Sequence, residues 1–145
     1  MPRVAIAIGS NLGDRHANLS AAIAELRKIA TPGEPFLEAS LHDTGPQGCP
    51  PGSPRFLNTV IDLHYSGEDP LELLEKTQAL ERRLGRAANS VRNAPRLIDI
   101  DILLFGETTL THPALRLPHP RIHERPFVLL PLQEIRPDFH IPSPP

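Results

Sequence analysis

Four short stretches of apolar or alternating apolar and polar residues predict the strands of a sheet. They cover residues 3–9, 36–43, 55–65 and 97–105, and turn-forming residues separate them. Because side chains alternate between the two faces of a strand, the third stretch places Leu57 on one face and Asn58 on the other. A short return strand is expected near residues 108–110.

Apolar side chains spaced three or four positions apart predict two longer helices and one short one. The first helix covers residues 16–29. The second covers residues 69–85 and opens with Asp69, a capping residue, followed by Pro70 in the first helical position. The short helix covers residues 127–135, and its internal proline is expected to kink or break it.

The resulting order, β-α-β-β-α-β, predicts an α+β fold of the ferredoxin-like type, a sandwich with a mainly antiparallel sheet and helices packed on one face. The chain has 145 residues, of which 39% are hydrophobic and 22% charged, as in an ordinary globular protein. No linker or internal repeat divides it, so residues 1–145 are expected to form a single domain. Stretches 44–54, 86–95 and 112–126 are expected to be loops.

The composition argues against several classes of protein. A net charge of −2 creates no field that recruits nucleic acid, and aromatic residues, at 4% with no Trp, are too few for a base-stacking platform. No apolar run is long enough for a signal peptide or a membrane span, so we expect no membrane association. The single cysteine, Cys49, cannot form an internal disulfide, which favours a reducing, cytoplasmic location.

Two carboxylates stand out on the most apolar predicted strand. Alternation places Asp99 and Asp101 on one face, roughly 6.5–7 Å apart along the chain, while Ile100 and its apolar neighbours face the other way. Such a pair either shares a proton or binds a cation, and oxygen donors suit Mg²⁺ completed by phosphates. The alternative is an edge strand on which both side chains face water.

Basic residues flank this strand on both sides. Before it come five arginines in a locally cationic stretch, and guanidinium groups suit the capture of phosphate oxygens. An ordinary solvated helix end accounts for Arg82 or Arg83 but not for those further along. The set is Arg82, Arg83, Arg86, Arg92 and Arg96.

After the strand, the segment 118–125 carries His119, Arg121, His123 and Arg125. The two histidines have the spacing of a helical zinc pair, but the surrounding prolines disfavour a helix and the glutamate of a zinc protease motif is missing. The basic side chains are better suited to a polyphosphate, although Arg121 and His123 taken alone are equally consistent with polar loop residues.

Phe56 and Asn58 share a strand face beside the loop 44–54. An amide offers a donor and an acceptor to the edge of a heterocycle, and an aromatic ring can stack on it. The alternative is a core phenylalanine beside a capping asparagine. The P-loop motif and the dinucleotide-binding glycine motif are both missing from the sequence.

Together these residues resemble the 6-hydroxymethyl-7,8-dihydropterin pyrophosphokinase family over nearly the whole chain. The segments that carry the resemblance are Ala7 to Asn11, Phe56 to Asn58, Gln78 with Glu81, Pro95 to Asp101, Leu103 to Gly106, Pro118 with His119, and Arg125 to Leu132. The resemblance implies a ferredoxin-like fold and an Mg²⁺-dependent transfer of pyrophosphate from ATP to the pterin hydroxymethyl group, with release of AMP, in folate biosynthesis.

The resemblance also implies a role for each matching residue. Asp99 and Asp101 would hold two Mg²⁺ ions, and Arg86 and Arg96 would be catalytic. ATP would contact Gln78, Glu81, Arg92, Ile102, His119 and Arg125, and the pterin would contact Thr44, Gly45, Phe56, Asn58 and Phe127. We expect a monomer that acts on small molecules. Two alternatives stay open: another Mg²⁺-dependent nucleotidyl transferase or phosphodiesterase on the same fold, and a non-enzymatic module that binds RNA or a small effector.

Overall fold

The computed structural model describes residues 1–11, 13–44, 55–85 and 98–137. The strands are β1 (Arg3–Ser10), β2 (Leu37–Glu38), β3 (His42–Thr44), β4 (Phe56–His64), β5 (Asp99–Phe105), β6 (Leu110–His112) and β7 (Leu115–Leu117). The helices are α1 (Arg15–Ile29), α2 (Pro70–Gly85) and α3 (Pro126–Ile135), with a 3-10 turn at Ile122–Glu124 before α3.

The main sheet has β1 at its centre, between β4 and β5. Both β2 and β3 pair with the other side of β4, and every pairing is antiparallel. This is the predicted ferredoxin-like arrangement, and the prediction of the fold class is confirmed. Strands β6 and β7 form a separate hairpin.

Helices cover both faces of the sheet. Between the sheet and helices α1 and α2 lies the first core, which includes Ile6, Leu26 and Leu73. Helix α3 covers the opposite face and forms the second core, to which Val60 and Leu132 contribute. The prediction placed helices on one face only, and the position of the short third helix is an addition to it. No helix in the described part of the chain is both long and apolar enough to cross a membrane.

The two faces of β1 differ in side-chain size. Val4, Ile6 and Ile8 fill the first core. The face toward α3 carries Ala5, Ala7 and Gly9, which alternate with these larger residues. These small residues lie at the centre of the sheet, between β4 and β5.

The stretch predicted as a single strand over 36–43 forms β2 and β3 instead. Glu38 pairs with Ile61 and His42 pairs with Asn58, so three residues oppose two of β4 in a β-bulge. Within the bulge, the backbone N–H and the hydroxyl of Ser40 donate to Oε1 of Glu134 on α3, at 2.8 and 2.6 Å. The prediction of a continuous strand is therefore wrong, because a partner 94 residues away shapes this segment.

The loop predicted over 112–126 contains β7 and the 3-10 turn. Leu115 and Leu117 on β7 are buried in the first core, with 9% and 2% of their surface exposed. A three-residue strand is too short for its alternation to be recognised in the sequence. The predicted return strand near 108–110 meets the structure only at Leu110, the first residue of β6.

Candidate active site

The register of the sheet aligns four residues in a row across neighbouring strands. His42 on β3 lies opposite Asn58 on β4, Asn58 lies opposite Gly9 on β1, and Gly9 lies opposite Asp99 on β5. Residues opposite one another in antiparallel strands share a face. The backbones at Asn58 and Asp99 are therefore two strand spacings apart, roughly 10 Å, with a residue that has no side chain between them.

The absence of a side chain at Gly9 leaves space for Asn58. A Cβ atom built on it would lie 2.7 Å from Oδ1 of Asn58 and 3.7 Å from Cδ1 of Phe56. The Asn58 side chain, only 8% exposed, thus leans over the backbone of β1. The Asn58 side chain therefore packs directly against the backbone of Gly9.

The next row along the sheet consists of Val60, Ala7 and Asp101. Asp99 is half-buried and Asp101 is exposed, while Ile100 and Ile102 between and after them are buried in the first core. Both carboxylates therefore lie on the face toward α3, as the alternation predicts. Among the described residues, no group of three or more His, Cys, Asp or Glu side chains is arranged so that it could hold a metal ion.

The alternation of β5 ends just beyond this pair. Ile6 pairs with Ile102 but Ala5 pairs with Leu104, so Leu103 is an extra residue in a bulge. Its carbonyl accepts a hydrogen bond of 2.9 Å from the backbone N–H of His119. The bulge thus holds the segment after β7 against the strand that carries the two carboxylates.

His119 has a defined charge state and orientation. Burial lowers its pKa, the nearby Asp101 carboxylate opposes this, and the Arg125 and Arg121 cations lower the pKa further. This lowering of the pKa favours the neutral imidazole at pH 7. Its Nδ1 accepts a hydrogen bond of 3.2 Å from the backbone N–H of Arg121, which leaves the proton on Nε2. His119 is a donor beside Asp101.

Arg125 lies directly before Pro126, the first residue of α3, and is half-buried. It is close enough to influence the pKa of His119, so it belongs to the same neighbourhood as Asp101. Ile122, 2% exposed in the second core, anchors the 3-10 turn that leads to it. The structure therefore brings Asp101, His119 and Arg125 together.

Three of the residues expected along the nucleotide lie on the other side of β5. Gln78 is exposed and Glu81 is 8% exposed on α2, which packs against β5 from the first core. The Ile102 side chain, 2% exposed, is enclosed in that core.

Several expected site residues fall outside what the structure describes. Gly45, Arg86, Arg92 and Arg96 lie outside the described residues, and the side chains of Thr44 and Phe127 are not described either. The backbone of Thr44 pairs with Phe56, next to the pair of His42 and Asn58.

Gly9 and His42 have structural roles that were not predicted from the sequence. The sequence did contain a signal for Gly9. Small residues alternate with Val4, Ile6 and Ile8 along β1, which indicates a strand face that has no large side chains. No such signal existed for His42, whose position beside Asn58 depends on the bulge in the preceding residues.

Comparison with known proteins identifies the family to which this arrangement belongs. A family model described as 7,8-dihydro-6-hydroxymethylpterin-pyrophosphokinase matches residues 5–137. A 2-amino-4-hydroxy-6-hydroxymethyldihydropteridine pyrophosphokinase of Bacillus subtilis is 43% identical over 130 residues, which cover 90% of this chain and 75% of that protein. One of the same name from Pseudomonas aeruginosa is 39% identical over 142 residues, which cover 97% and 85%.

Other similar proteins are longer than this chain. A mitochondrial folate synthesis bifunctional protein of Pisum sativum is 39% identical over 132 residues, which are 91% of this chain but only 25% of that protein. The crystal structure of a Plasmodium falciparum HPPK-DHPS triple mutant matches with a TM-score of 0.75 at 15% identity. The match covers 97% of this chain and 42% of that one, and at this identity it supports the fold alone.

Proposed function

This chain belongs to the 7,8-dihydro-6-hydroxymethylpterin-pyrophosphokinase family, and we propose that it transfers pyrophosphate from ATP to the hydroxymethyl group of 6-hydroxymethyl-7,8-dihydropterin in folate synthesis. AMP is the second product. One observation supports this most directly: Asp99 and the buried amide of Asn58 lie on one face of the sheet, on either side of Gly9, and Asp101 lies on the same face in the next row. The carboxylates suit a metal–polyphosphate group and the amide suits the edge of a heterocycle.

The donor set at Asp99 and Asp101 fits Mg²⁺. Both side chains offer hard oxygen ligands on one face of β5, and a site with only two carboxylates leaves coordination positions for water and phosphate oxygens. These two residues would hold the two Mg²⁺ ions. When bound, Mg²⁺ neutralises charge on phosphate oxygens and orients the group that is transferred.

The residues at the nucleotide end bind and orient phosphate. Neutral His119 donates from Nε2–H, and Arg125 supplies a guanidinium in the same neighbourhood. The family resemblance adds Gln78, Glu81, Arg92 and Ile102 along the nucleotide. Arg86 and Arg96 would compensate the charge that builds up in the transition state.

At the pterin end, Asn58 orients the heterocycle through its amide while Phe56 lies beside it. The resemblance adds Thr44, Gly45 and Phe127 to this pocket. The hydroxymethyl oxygen forms a bond to the β-phosphorus of ATP and releases its proton to solvent, and the bond from that phosphorus to the oxygen bridging to the α-phosphate breaks. AMP leaves with that oxygen. Binding both reactants on the same face of the sheet removes much of the entropic cost of bringing them together.

Product identity tests the proposal. The purified chain, incubated with ATP, Mg²⁺ and the reduced pterin, should yield AMP and the pterin diphosphate, detected by phosphorus NMR and mass spectrometry. Release of pyrophosphate or hydrolysis without a pterin product would favour another transferase or a phosphodiesterase. Absence of turnover together with RNA binding would favour the non-enzymatic alternative.

Substitutions at the carboxylates test the site itself. Asp99→Asn and Asp101→Asn should each lower kcat by at least about a hundredfold with unchanged thermal unfolding, a loss comparable to removing other transition-state charge stabilisation. Glu68→Gln, at an exposed carboxylate between β4 and α2, is the matched control. Near-normal turnover of either Asp variant would exclude these residues as the metal ligands. The cytoplasmic location, the monomeric state and the single domain stay predictions.

A further inference from the structure

The first residue of β4 depends on β3 for its position. The pairing of β1 with β4 ends where Ser10 lies opposite Leu57. In the part of the chain that the structure describes, Phe56 therefore has no partner on β1 and pairs only with Thr44 on β3. Since a strand of three residues has little stability of its own, the position of Phe56 depends on what holds β3 in place.

An ion pair connects β3 to the start of β4. Nε of Arg55, the residue before β4, donates to Oδ1 of Asp43 at 2.8 Å, and its Nη2 donates to the Asp43 carbonyl at 3.1 Å. These two hydrogen bonds hold both the side chain and the backbone of Asp43, which is next to the pair of Thr44 and Phe56. Arg55 therefore holds β3 directly beside Phe56.

Arg15, the first residue of α1, connects both of these residues to the helix. Its Nη1 donates to the Arg55 carbonyl at 3.0 Å, and its Nη2 donates to Oδ2 of Asp43 at 3.4 Å. Hydrogen bonds from Arg55 and then Arg15 lower the pKa of Asp43, so its carboxylate is charged at neutral pH. Because α1 is anchored in the first core, the contacts among Arg15, Asp43 and Arg55, here called the β3 network, connect two strands to a packed helix.

The β3 network lies on the opposite face of the sheet from the proposed pterin site. Asp43 pairs with Leu57, which is buried in the first core, and paired residues share a face. Asn58, the next residue of β4, points to the face toward α3. A pterin bound beside Asn58 would therefore not touch the side chain of Asp43, which can act on the pterin only through the strands.

We propose that the β3 network positions the pterin site: by holding β3 against β4, it keeps Phe56 beside Asn58 in the arrangement that binds the pterin. This inference rests on the proposed function, since it assumes that the pterin binds at Asn58. The alternative is a set of exposed ion pairs that adds a little to stability and nothing to substrate binding.

A second ion pair on the same sheet provides the matched control. Glu38 on β2 pairs with Arg27 on α1 at 2.8 Å, so it also connects a short edge strand to α1, but it lies opposite Ile61, further from Asn58. The Glu38 and Asp43 side chains are 39% and 47% exposed. Asp43→Ala should raise KM for the pterin about three- to fivefold, as the loss of several exposed charged contacts would, with kcat and KM for ATP unchanged. Glu38→Ala should change none of these constants.

Two further variants distinguish positioning from a general loss of stability. Asp43→Glu keeps a carboxylate and should recover part of the loss in pterin affinity. In the double variant of Asp43→Ala and Arg55→Ala, the increase in KM should be smaller than the product of the two single increases, because both residues act through one contact. A full product of the two increases, or an unchanged KM for the pterin in Asp43→Ala, would overturn the proposal.

Amide hydrogen exchange of the free protein tests the network without any substrate. Asp43→Ala should speed the exchange of the backbone amides from Phe56 to Asn58, whereas Glu38→Ala should not. Unchanged exchange in Asp43→Ala would overturn the proposal. If the unsubstituted chain formed no AMP and pterin diphosphate, the proposed function would fail, while exchange and the calorimetric affinity for the pterin would still decide whether the network positions this end of β4.

Discussion

Oδ1 of Asn58 occupies the space that a side chain on Gly9 would need, because a Cβ atom there would lie 2.7 Å from it. Gly9→Ala should therefore displace the Asn58 amide. We expect a loss of about 1–3 kcal/mol in the free energy of unfolding, as for other overpacking substitutions. We also expect an increase of about tenfold in KM for the pterin, equivalent to roughly 1.4 kcal/mol.

A double-mutant cycle with Asn58→Ala isolates this relationship. Once the amide has been removed, the added methyl group has room, so the stability losses of the two single variants should not add in the double variant. Urea denaturation of the four proteins measures the coupling. Additive losses would show that Gly9 is needed for another reason.

Asp62, 2% exposed on β4, is paired with two arginines from distant parts of the chain. Nε of Arg136, just after α3, donates to Oδ1 of Asp62 at 2.9 Å, and Arg3 on β1 pairs with Oδ2. Arg136→Gln should cost about 3–5 kcal/mol in the free energy of unfolding, because it leaves a buried charge short of a partner. Arg3→Gln should cost less, since the Arg3 side chain is 44% exposed and can be replaced by water.

If burial determines how much each ion pair contributes to stability, Arg136→Gln should lower the free energy of unfolding more than Arg3→Gln does. Chemical denaturation of both variants at pH 7 measures these losses, with Arg27→Gln, an exposed arginine paired with Glu38, as the control. A larger loss for Arg3→Gln than for Arg136→Gln would contradict the assignment of Arg136 as the principal partner.

Glu134 makes the stability of the fold depend on pH. The hydroxyl and the backbone N–H of Ser40 donate to its carboxylate and lower its pKa, and His42 adds a smaller effect. The pKa of Glu134 is lower in the folded protein than in the unfolded chain. At pH values between these two pKa values, the unfolded chain therefore binds more protons than the folded protein does. The stabilisation is therefore complete above the unfolded pKa of about 4.5 and is lost as the pH falls through the folded pKa.

Glu134→Gln should remove this dependence. Since the side chain is 41% exposed, we expect the variant to be less stable at pH 7 by less than about 1 kcal/mol. Thermal unfolding from pH 7 to pH 3 should show the difference between the two proteins shrinking on acidification. If the difference in Tm between the two proteins stayed constant from pH 7 to pH 3, the Ser40 contacts would not favour the charged carboxylate.

The orientation of His119 predicts different effects for two amide substitutions. His119→Gln places an N–H donor near the position of Nε2, whereas His119→Asn places its polar atoms near Nδ1. If Nε2–H is the group that contacts the nucleotide, the glutamine variant should keep several-fold more Mg–ATP affinity than the asparagine variant. Calorimetry with Mg–ATP measures the difference, and an asparagine variant that binds as well or better would reverse the assigned roles of the two ring nitrogens.

The sequence by itself determined the features that depend on neighbouring residues. Helix α2 begins at Pro70 after the capping Asp69 because these residues satisfy or remove backbone donors locally. Asp99 and Asp101 share a face because a strand alternates its side chains wherever it lies in the fold. The class of fold followed from the order of such elements, and the most distinctive part of the candidate site followed from alternation.

Only the tertiary structure decided which residues meet across the sheet and at its bulges. The bulge before His42 and the bulge at Leu103 each shift the register by one residue, and no local signal marks them. Glu134 at Ser40, Arg136 at Asp62 and His119 beside Asp101 are all contacts between segments far apart in the chain. Their free energy comes from burial and hydrogen bonding that exist only once the layers have packed, so a local pattern cannot contain them.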